Sequence, residues 1–282
     1  MKKAIALIVF SFMLFGCMNL DEITGKPVTT NETLNQTELN ASIPDSLRVC
    51  LFGDSTETLT ALTDENQSFE GRQITLKLDS LDYEMALAGD VSDCALIILK
   101  SEHMSRATRS AVINRVNAGA NLIVLKNAAT RVPGDASAYG WELGLGTTGA
   151  LSELIPVSNV GPGKDLRVLE EVTVSGEFVF RNLMLAFSGI YNFELENWNV
   201  TDVYFTDRAV PVADIVLGGG NRSTSVSYPA IVMQDLGVGK GIVFYFGYAA
   251  FDLADEHAQG VSRAAVSYSV NDYLKRVYLK GI

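Results

Sequence analysis

Apolar runs alternate with helical and turn segments over the first half of the region that begins at residue 47. Uninterrupted apolar runs at 47–53, 94–100 and 121–126 predict buried parallel strands. The alternating stretch 73–79 predicts a further strand with one buried face. Helices are predicted between these strands, so this part of the chain has the strand–helix–strand order that builds a parallel sheet with right-handed crossovers.

The predicted helices differ in how clearly the sequence defines where they begin and end. Short helices are expected over 56–66 and 82–88. A longer helix begins after Ser105, which is a good N-cap, and ends at Gly119, a C′ glycine. Its apolar positions recur at helical spacing: Ala107, Ala111, Val112 and Val116.

The second half of the chain is richer in predicted strands. Residues 128–165 are glycine-rich and irregular, and 166–217 read as strands with many Val, Phe and Tyr residues. A hairpin is predicted over 229–248, followed by a helix over 258–279 with Val261, Ala265, Tyr268, Leu274 and Tyr278 toward the core. The predicted fold class is therefore α/β: a mostly parallel sheet flanked by helices, with a β-rich insertion and a C-terminal hairpin plus helix.

The first residues have the pattern of an export signal. Lys2 and Lys3 precede a short apolar run that ends before Gly16 and Cys17. This run is short for a membrane span, which needs roughly 20 apolar residues. The segment around Cys17 resembles the lipobox of bacterial and archaeal lipoproteins, in which the cysteine is lipidated and becomes the new N-terminus. We therefore predict a lipoprotein signal peptide at 1–16, lipidation of Cys17 and an extracytoplasmic protein held at the membrane by its lipid anchor.

Residues 17–45 form a predicted tether. The stretch from 18 to 45 is rich in Asn, Thr and Gln and has five acidic residues against one lysine, a composition that cannot bury enough apolar surface to fold. The remaining residues, 46–282, are expected to form the α/β domain. Six Asn-x-Ser/Thr sequons are candidates for glycosylation: Asn31, Asn35, Asn40, Asn66, Asn199 and Asn221.

The net charge of the chain narrows the classes of partner that it can bind. The formal net charge of −11, with no basic cluster, argues against nucleic acid as a partner.

Besides Cys17, the chain has Cys50 and Cys94, each in a predicted strand. If the two strands are parallel neighbours, these cysteines are offset by about three residues, or roughly 10 Å. Disulfides need Cα atoms closer than about 7 Å, so we predict two buried free thiols.

Three segments together resemble one known superfamily. They are 93–125, which ends in Val-Asn-Ala-Gly-Ala-Asn followed by a strand, 139–144 with the sequence Tyr-Gly-Trp-Glu-Leu-Gly, and the Gly-x-Gly hairpin within 229–247. The chain from 47 to 279 resembles the class I glutamine amidotransferase-like superfamily, especially its trehalose-utilisation-like and other non-amidotransferase branches. The resemblance implies a flavodoxin-like sheet.

The resemblance does not extend to the family's catalytic residues. Catalytic members of that superfamily place a cysteine nucleophile on the turn after the strand that corresponds to 121–126, and this chain has Lys126-Asn127-Ala128-Ala129 there. They also use a late His and Glu, whereas Glu256 and His257 occur here in reversed order with no nucleophile to activate. We expect no amidotransferase activity.

Two further motifs are weak candidates for chemistry. Gly53-Asp54-Ser55 resembles the first block of SGNH hydrolases, with Ser55 as nucleophile and His257 as its late partner, but the supporting blocks are missing and a helix-cap role explains the turn. The Gly-x-Gly-x-x-Gly match at 144–149 has neither a strand before it nor a long helix after it, so no cofactor is predicted.

Ligand candidates lie where the predicted strands end, because open α/β sheets bind ligands at the carboxyl edge. They are Asp54, His103, Lys126 and Asn127. With only two histidines in the chain, no metal site is predicted. A second candidate surface is an aromatic-rich patch, although aromatic residues in strands more often belong to the core. The patch consists of Phe187, Tyr191, Phe193, Trp198, Tyr204 and Phe205.

These observations lead to one main functional hypothesis and two alternatives. The main hypothesis is a membrane-anchored binding or assembly module without catalysis, whose ligand is a carbohydrate or an envelope protein. The first alternative is a cell-surface hydrolase, either an esterase that uses Ser55 or an enzyme acting on carbohydrate. The second is a purely structural stalk-and-head protein of the envelope.

Overall fold

A computed structural model of the 282-residue chain describes the greater part of the α/β region. The described residues are 43–54, 67–86, 88–141, 150–155, 157–158, 172–180, 187–195, 202–203, 209–217, 226–252 and 256–279.

Within these ranges the chain forms fourteen strands and two α-helices. The strands are β1 Ser46–Phe52, β2 Gln67–Phe69, β3 Arg72–Leu81, β4 Cys94–Leu99, β5 Asn121–Leu125, β6 Arg131–Val132, β7 Asp135–Tyr139, β8 Val157–Ser158, β9 Val172–Phe180, β10 Phe187–Leu195, β11 Asp202–Val203, β12 Ala209–Leu217, β13 Val226–Asp235 and β14 Ile242–Phe246. The helices are α1 Arg106–Asn117 and α2 Glu256–Tyr278.

Ten of the described strands form one sheet in the order β10-β9-β12-β13-β14-β5-β4-β1-β3-β2. The five strands β14, β5, β4, β1 and β3 are parallel neighbours. Antiparallel strands extend both sides, β2 beside β3 and the insertion strands beyond β13. The predicted α/β class, with its parallel core, β-rich insertion and C-terminal hairpin plus helix, is confirmed.

The order of the parallel strands is that of a flavodoxin-like fold. The chain begins in the middle of the sheet with β1, adds β3 on one side, and then crosses to β4, β5 and β14 on the other side. The direction of strand addition therefore reverses between β1 and β4. Ligands of open α/β sheets bind in the crevice at the carboxyl ends of the strands at such a reversal.

One α-helix covers each face of the sheet, and this explains the uninterrupted apolar runs. Along β14, Val243 and Tyr245 belong to the core beneath α1, whereas Phe244 and Phe246 belong to the core beneath α2. Both side-chain sets are buried because an α/β sheet is covered on both faces. The two cores together hold the strands in place, and they thereby position the loops at the strand ends.

Local predictions were correct where caps and long apolar patterns marked the element. Ser105 caps α1 by accepting a hydrogen bond from the Thr108 N–H at 3.1 Å. The buried face of α1 differs from the prediction, because Ala107 is exposed while Thr108 and Arg109 are buried.

The short helix predicted over 82–88 is wrong in its described part. Residues 82–86 form a turn in which Asp82 accepts the N–H of Glu84 at 2.7 Å.

The prediction of two free thiols is also wrong, because Cys50 and Cys94 form a disulfide. The parallel register pairs Cys94 with Arg48, two residues from Cys50, and shifts between Arg48 and Val49. This irregularity brings the two Cα atoms to 5.8 Å, within the range that a disulfide requires. A prediction from uniform strand spacing could not include the shift.

No helix in the described part of the chain combines the length and the apolar character needed to cross a membrane.

Candidate functional site

A cleft of about 460 Å³ lies at the carboxyl ends of β1, β3 and β4, at the point where strand addition reverses. Its lining comes from three loops: Gly53, Asp54, Leu81, Asp82, Tyr83, Lys100 and Ser101. We call it the carboxyl-edge cleft. It occupies the place where this strand order predicts ligand binding.

Gly53 allows the loops after β1 and β4 to approach each other closely. Its φ of +138° lies in a region that side chains other than glycine rarely adopt. A Cβ built there would lie 3.0 Å from the backbone nitrogen of Ser101. The backbone N–H groups of Lys100 and Ser101 donate to the Phe52 carbonyl at 2.9 and 2.8 Å, which fixes this wall of the cleft.

Among the residues that the structure describes, the lining of the cleft presents two carboxylates, two hydroxyls, an aromatic ring and one lysine that is already paired. Lys100 Nζ forms an ion pair with Asp252 Oδ1 at 2.7 Å, so its charge is already neutralised. Asp54 and Asp82 are exposed, and the Tyr83 ring is half-buried beside them. Carboxylate and hydroxyl oxygens accept or share hydrogen bonds with ligand hydroxyls, and a tyrosine ring supplies an apolar face.

A second cleft, of about 390 Å³, lies near the first, since His103 in its lining is two residues from Ser101 in the lining of the first. Its lining is formed by His103 and the β6–β7 hairpin residues 131–136. We call it the hairpin cleft. The rings of Tyr83 and His103 stand at the boundary of the two clefts, with centroids 6.4 Å apart and planes tilted by 41°.

The structure brings two of the four predicted edge residues to these clefts. Asp54 lines the carboxyl-edge cleft, and His103 lines the hairpin cleft. Lys126 and Asn127 follow β5 at the same edge of the sheet, but they line neither cleft. The backbone N–H of Lys126 donates to the Phe246 carbonyl at 2.7 Å, and the Asn127 carbonyl accepts from Thr130 Oγ1 at 2.7 Å.

Lys126 has a backbone conformation that is uncommon for a lysine. Its φ is +49°, and that of Ala129 is +57°. A side chain with a Cβ in this region costs roughly 1–2 kcal/mol, which only the surrounding structure can offset. The turn after β5 therefore has a strained backbone, and Lys126 in this turn carries no nucleophilic sulfur.

Several other sequence candidates lie outside the described residues. These are Cys17, Ser55, the six sequons at Asn31, Asn35, Asn40, Asn66, Asn199 and Asn221, the glycine motif at 144–149, and Trp198, Tyr204 and Phe205 of the aromatic patch. His257 belongs to α2, and the patch residues Phe187, Tyr191 and Phe193 belong to β10. The side chains of these four residues are outside the description.

Sequence reasoning missed Asp82, Tyr83, Lys100 and Ser101. Lys100 ends the strand predicted over 94–100 and Ser101 directly follows it, so both could have been found by the rule that led to His103. Asp82 and Tyr83 were hidden by the helix predicted over 82–88. The actual strand β3 extends to Leu81, so the next residues are at the carboxyl edge. Extending the alternating pattern of 73–79 by two residues would have placed them there.

Within the described ranges, no three His, Cys, Asp or Glu side chains are grouped in a way that could hold a metal ion.

A third cleft, of about 670 Å³, lies at the opposite edge of the sheet. The Arg48 side chain in its wall hydrogen-bonds to Asp79, Asp93 and, at 2.7 Å, the carbonyl of Asp90. The hydrogen bond from Arg48 holds the pKa of Asp93 below its ordinary value. Arg115 donates to the Cys94 carbonyl at 2.8 Å. These contacts hold β1, β3, β4 and α1 together, so we assign this cleft a structural role.

Comparison with known proteins gives information on the fold alone. No protein-family model matches the chain, and no curated protein does either. Among solved structures, a putative ThuA-like protein from Bacteroides uniformis matches with a TM-score of 0.54 and 11% identity, over 83% of this chain and 97% of that one. A cytoplasmic protein from Salmonella typhimurium matches with a TM-score of 0.50 and 10% identity, over 79% and 98% of the two chains.

The β-galactosidase Gan42B from G. stearothermophilus matches with a TM-score of 0.51 and 15% identity, over 78% of this chain. The matched region is 29% of the length of that enzyme. At such identities a match demonstrates a common fold and no common chemistry. The described domain therefore shares its α/β fold with ThuA-like proteins.

Proposed function

We propose that this chain is a membrane-anchored, extracytoplasmic binding module that holds a carbohydrate at the carboxyl-edge cleft and performs no chemistry on it. The observation that carries the proposal is the cleft itself. It lies at the reversal of strand order and combines Asp54, Asp82 and Ser101 with the half-buried Tyr83 ring. Such a mixture of oxygen acceptors and an aromatic face suits a polyhydroxylated ring.

The electrostatics of the cleft favour a neutral ligand over an anion. Lys100 is the one cation in the described part of its lining, and Asp252 neutralises it at 2.7 Å. The two exposed carboxylates of Asp54 and Asp82 would repel a phosphate or a carboxylate. Sugar hydroxyls instead donate to carboxylate oxygens, and hydrogen bonds to charged acceptors contribute more than neutral ones.

The absence of catalysis is proposed from the turn after β5. In the superfamily that the sequence resembles, this turn carries the nucleophile, and Lys126 occupies it here. Lysine at this position supplies no thiol.

The Cys50–Cys94 disulfide supports the extracytoplasmic location. Disulfides persist in oxidising compartments and are rare where glutathione and thioredoxin keep thiols reduced. Both cysteines are fully buried, so their pairing serves structure and not surface redox chemistry. This agrees with the export signal and the lipidation site at Cys17 that the sequence predicts.

The binding proposal is tested by calorimetric titration of the full chain with neutral mono- and oligosaccharides. We expect saturable binding that Asp54→Asn and Asp82→Asn weaken about tenfold each, the effect of losing roughly 1.4 kcal/mol of hydrogen bonding. Asp90→Asn, at the opposite edge of the sheet, is the matched control and should bind as the wild type does. No binding of any saccharide, or capture of a stoichiometric envelope protein instead, would contradict the carbohydrate assignment.

The absence of catalysis is tested separately, by assays of ester and glycoside hydrolysis. Hydrolysis that Ser55→Ala abolishes would contradict it.

The location is tested by counting thiols after denaturation without a reductant and by fractionating cells. We expect no reactive thiol at Cys50 or Cys94, and a membrane-bound protein that Cys17→Ser releases from the membrane. A reduced pair in a protein that stays in the cytoplasm would overturn the location while leaving the binding result unaffected.

A further inference from the structure

We infer that the ligand of this module is a linear chain of linked units that lies across both clefts, with the Tyr83 and His103 rings between its units. The inference rests on the proposed function, because it takes the carboxyl-edge cleft as a carbohydrate site. It adds a second subsite, the hairpin cleft, and a preference for ligand length. The argument depends on how the two clefts are joined, how firmly the second one is built and how it is charged.

One loop contributes to the lining of both clefts. Lys100 and Ser101 line the carboxyl-edge cleft, and His103, in the same loop, lines the hairpin cleft. The loop is fixed across this boundary, because the His103 N–H donates to Ser101 Oγ at 3.2 Å and the Ser105 N–H donates to the Tyr83 carbonyl at 3.0 Å. A ligand that extends past the Tyr83 ring would therefore reach the His103 ring, whose centroid is 6.4 Å away, at the side of the other cleft.

The hairpin cleft is held in place before any ligand arrives. Arg131 at the start of β6 bridges His103 in a parallel β-bridge, and its carbonyl accepts the Met104 N–H at 2.9 Å. The Arg131 N–H donates to the Glu102 carbonyl at 2.9 Å. Asp135, at the start of β7, faces the Arg106 guanidinium at 3.5 Å. A site that is already ordered loses less conformational entropy when it binds.

The charges of the hairpin cleft also fit a neutral ligand. Arg131 forms an ion pair with Glu102 at 2.6 Å, so its guanidinium is compensated within the protein. Polyanions such as nucleic acids or highly charged glycans are bound through uncompensated cations. The described lining of the two clefts supplies the exposed carboxylates of Asp54 and Asp82, the Asp135 carboxylate paired with Arg106, the hydroxyls of Ser101 and Tyr83, and two rings, which is the chemistry of neutral sugar units.

The sizes of the clefts require more than one unit to fill them. Each cleft, at about 460 and 390 Å³, lies within the range of a small-molecule site by itself. Asp54 lines one cleft and the hairpin residues line the other, so a single sugar seated in one cleft leaves the other unfilled. Two linked subsites raise affinity by adding contacts without a second loss of translational freedom.

The experiment is a length series measured on the full chain by calorimetry, with neutral gluco- and galacto-oligosaccharides from one to six units. We expect affinity to rise about tenfold or more when the chain becomes long enough to reach both clefts, and then to level off. In His103→Ala the ratio of long-chain to short-chain affinity should fall to about one. Glu84→Gln, an exposed residue in the turn beside Tyr83 that lines neither cleft, should keep the wild-type ratio.

The outcomes separate the inference from the function on which it rests. Equal affinity for all lengths, or an unchanged length dependence in His103→Ala, overturns the two-subsite inference and leaves single-unit binding intact. Failure of every length to bind contradicts the proposed function itself. His103→Gln, which keeps a polar side chain, guards against a misfolded alanine variant, and its ratio should also fall because it lacks the ring.

Discussion

At the scale of single residues, two glycines decide how closely neighbouring backbones can approach. Gly53 brings the first and third loops of the carboxyl edge together, as its contacts with Lys100 and Ser101 show. Gly241, just before β14, is more tightly enclosed. Its N–H donates to the Val116 carbonyl at 3.0 Å, and a Cβ built on it would lie 1.8 Å from the carbonyl oxygen of Ala120.

Gly241→Ala should destabilise the domain strongly, because the atoms in the way are backbone atoms that cannot rotate aside. We expect a loss of about 3 kcal/mol or more in the free energy of unfolding, at the upper end of overpacking effects. Urea denaturation followed by circular dichroism measures it. Gly89→Ala is the control, since a Cβ there meets nothing within 4 Å. Equal stability of the two variants would show that the backbone between Ala120 and Gly241 yields easily.

Arg109 is a second residue whose role only the fold reveals. Its side chain is 1% exposed on α1, and its Nη1 and Nε donate to the carbonyls of Gly140 and Met104 at 3.0 and 3.3 Å. Burial lowers the pKa of this arginine to about 10. Arg109 is a polar residue outside the apolar positions of α1, so the helical pattern alone would predict that it is exposed. The two carbonyls that make its burial possible come from segments 5 and 31 residues away.

At the scale of elements, α2 is fixed to the sheet by more than its apolar face. Val261, Ala265 and Leu274 are buried as predicted, and Tyr268 and Tyr278 pack against the same core. In addition, the fully buried Asn121 at the start of β5 donates to Asp272 Oδ2 at 3.1 Å and accepts the Ile242 N–H at 2.8 Å. Arg276 of the same helix completes the network, because it donates to Asp272 Oδ2 at 2.7 Å and to Asn121 Oδ1.

Asn121→Ala should cost about 2–4 kcal/mol of unfolding free energy, because it leaves the buried Ile242 N–H without its acceptor and removes the hydrogen bonds of Asn121 to α2. Chemical denaturation gives the value, and faster amide exchange at the start of β14 would locate the loss. Asn114→Ala, exposed in the middle of α1, removes the same side chain without such partners and should be neutral or slightly stabilising. A loss below about 0.5 kcal/mol would show that α2 docks through apolar packing alone.

At the scale of the whole molecule, the disulfide connects two neighbouring strands in the parallel part of the sheet. It joins β1 to β4, the two strands between which strand addition reverses, and closes a loop of 44 residues. The carboxyl ends of the same two strands carry Gly53 and Lys100 of the proposed binding cleft. The covalent link therefore stabilises the part of the sheet that shapes the site.

The double variant Cys50→Ala/Cys94→Ala should lose about 2–4 kcal/mol of unfolding free energy, the usual effect of a native disulfide. The measurement compares it with the wild type in denaturant, both without a reductant. The wild type unfolded with a reductant present serves as the reference, and its midpoint should move toward that of the variant. An unchanged wild-type midpoint under reductant would contradict a stabilising disulfide.

How much of the site could be predicted depends on where each residue sits in the chain. Asp54 and His103 follow apolar runs, and the rule that ligands bind at the ends of parallel strands was enough to select them. The same rule selected Lys126 and Asn127, which line neither cleft. Strand ends identify the edge of a sheet, but the position along that edge depends on strand order. That order is set by contacts between segments far apart in sequence.

The sequence by itself determined the α/β class, the parallel strands, the capped helix α1 and the C-terminal hairpin with α2. These follow from local apolar periodicity and caps, which act over a few residues. Only the tertiary structure decided the reversal between β1 and β4, the register shift that pairs Cys50 with Cys94, and the meeting of Tyr83 with His103. Each of these depends on how strands distant in sequence align. A shift of one residue between two strands changes Cα distances by about 3 Å, which local patterns cannot detect.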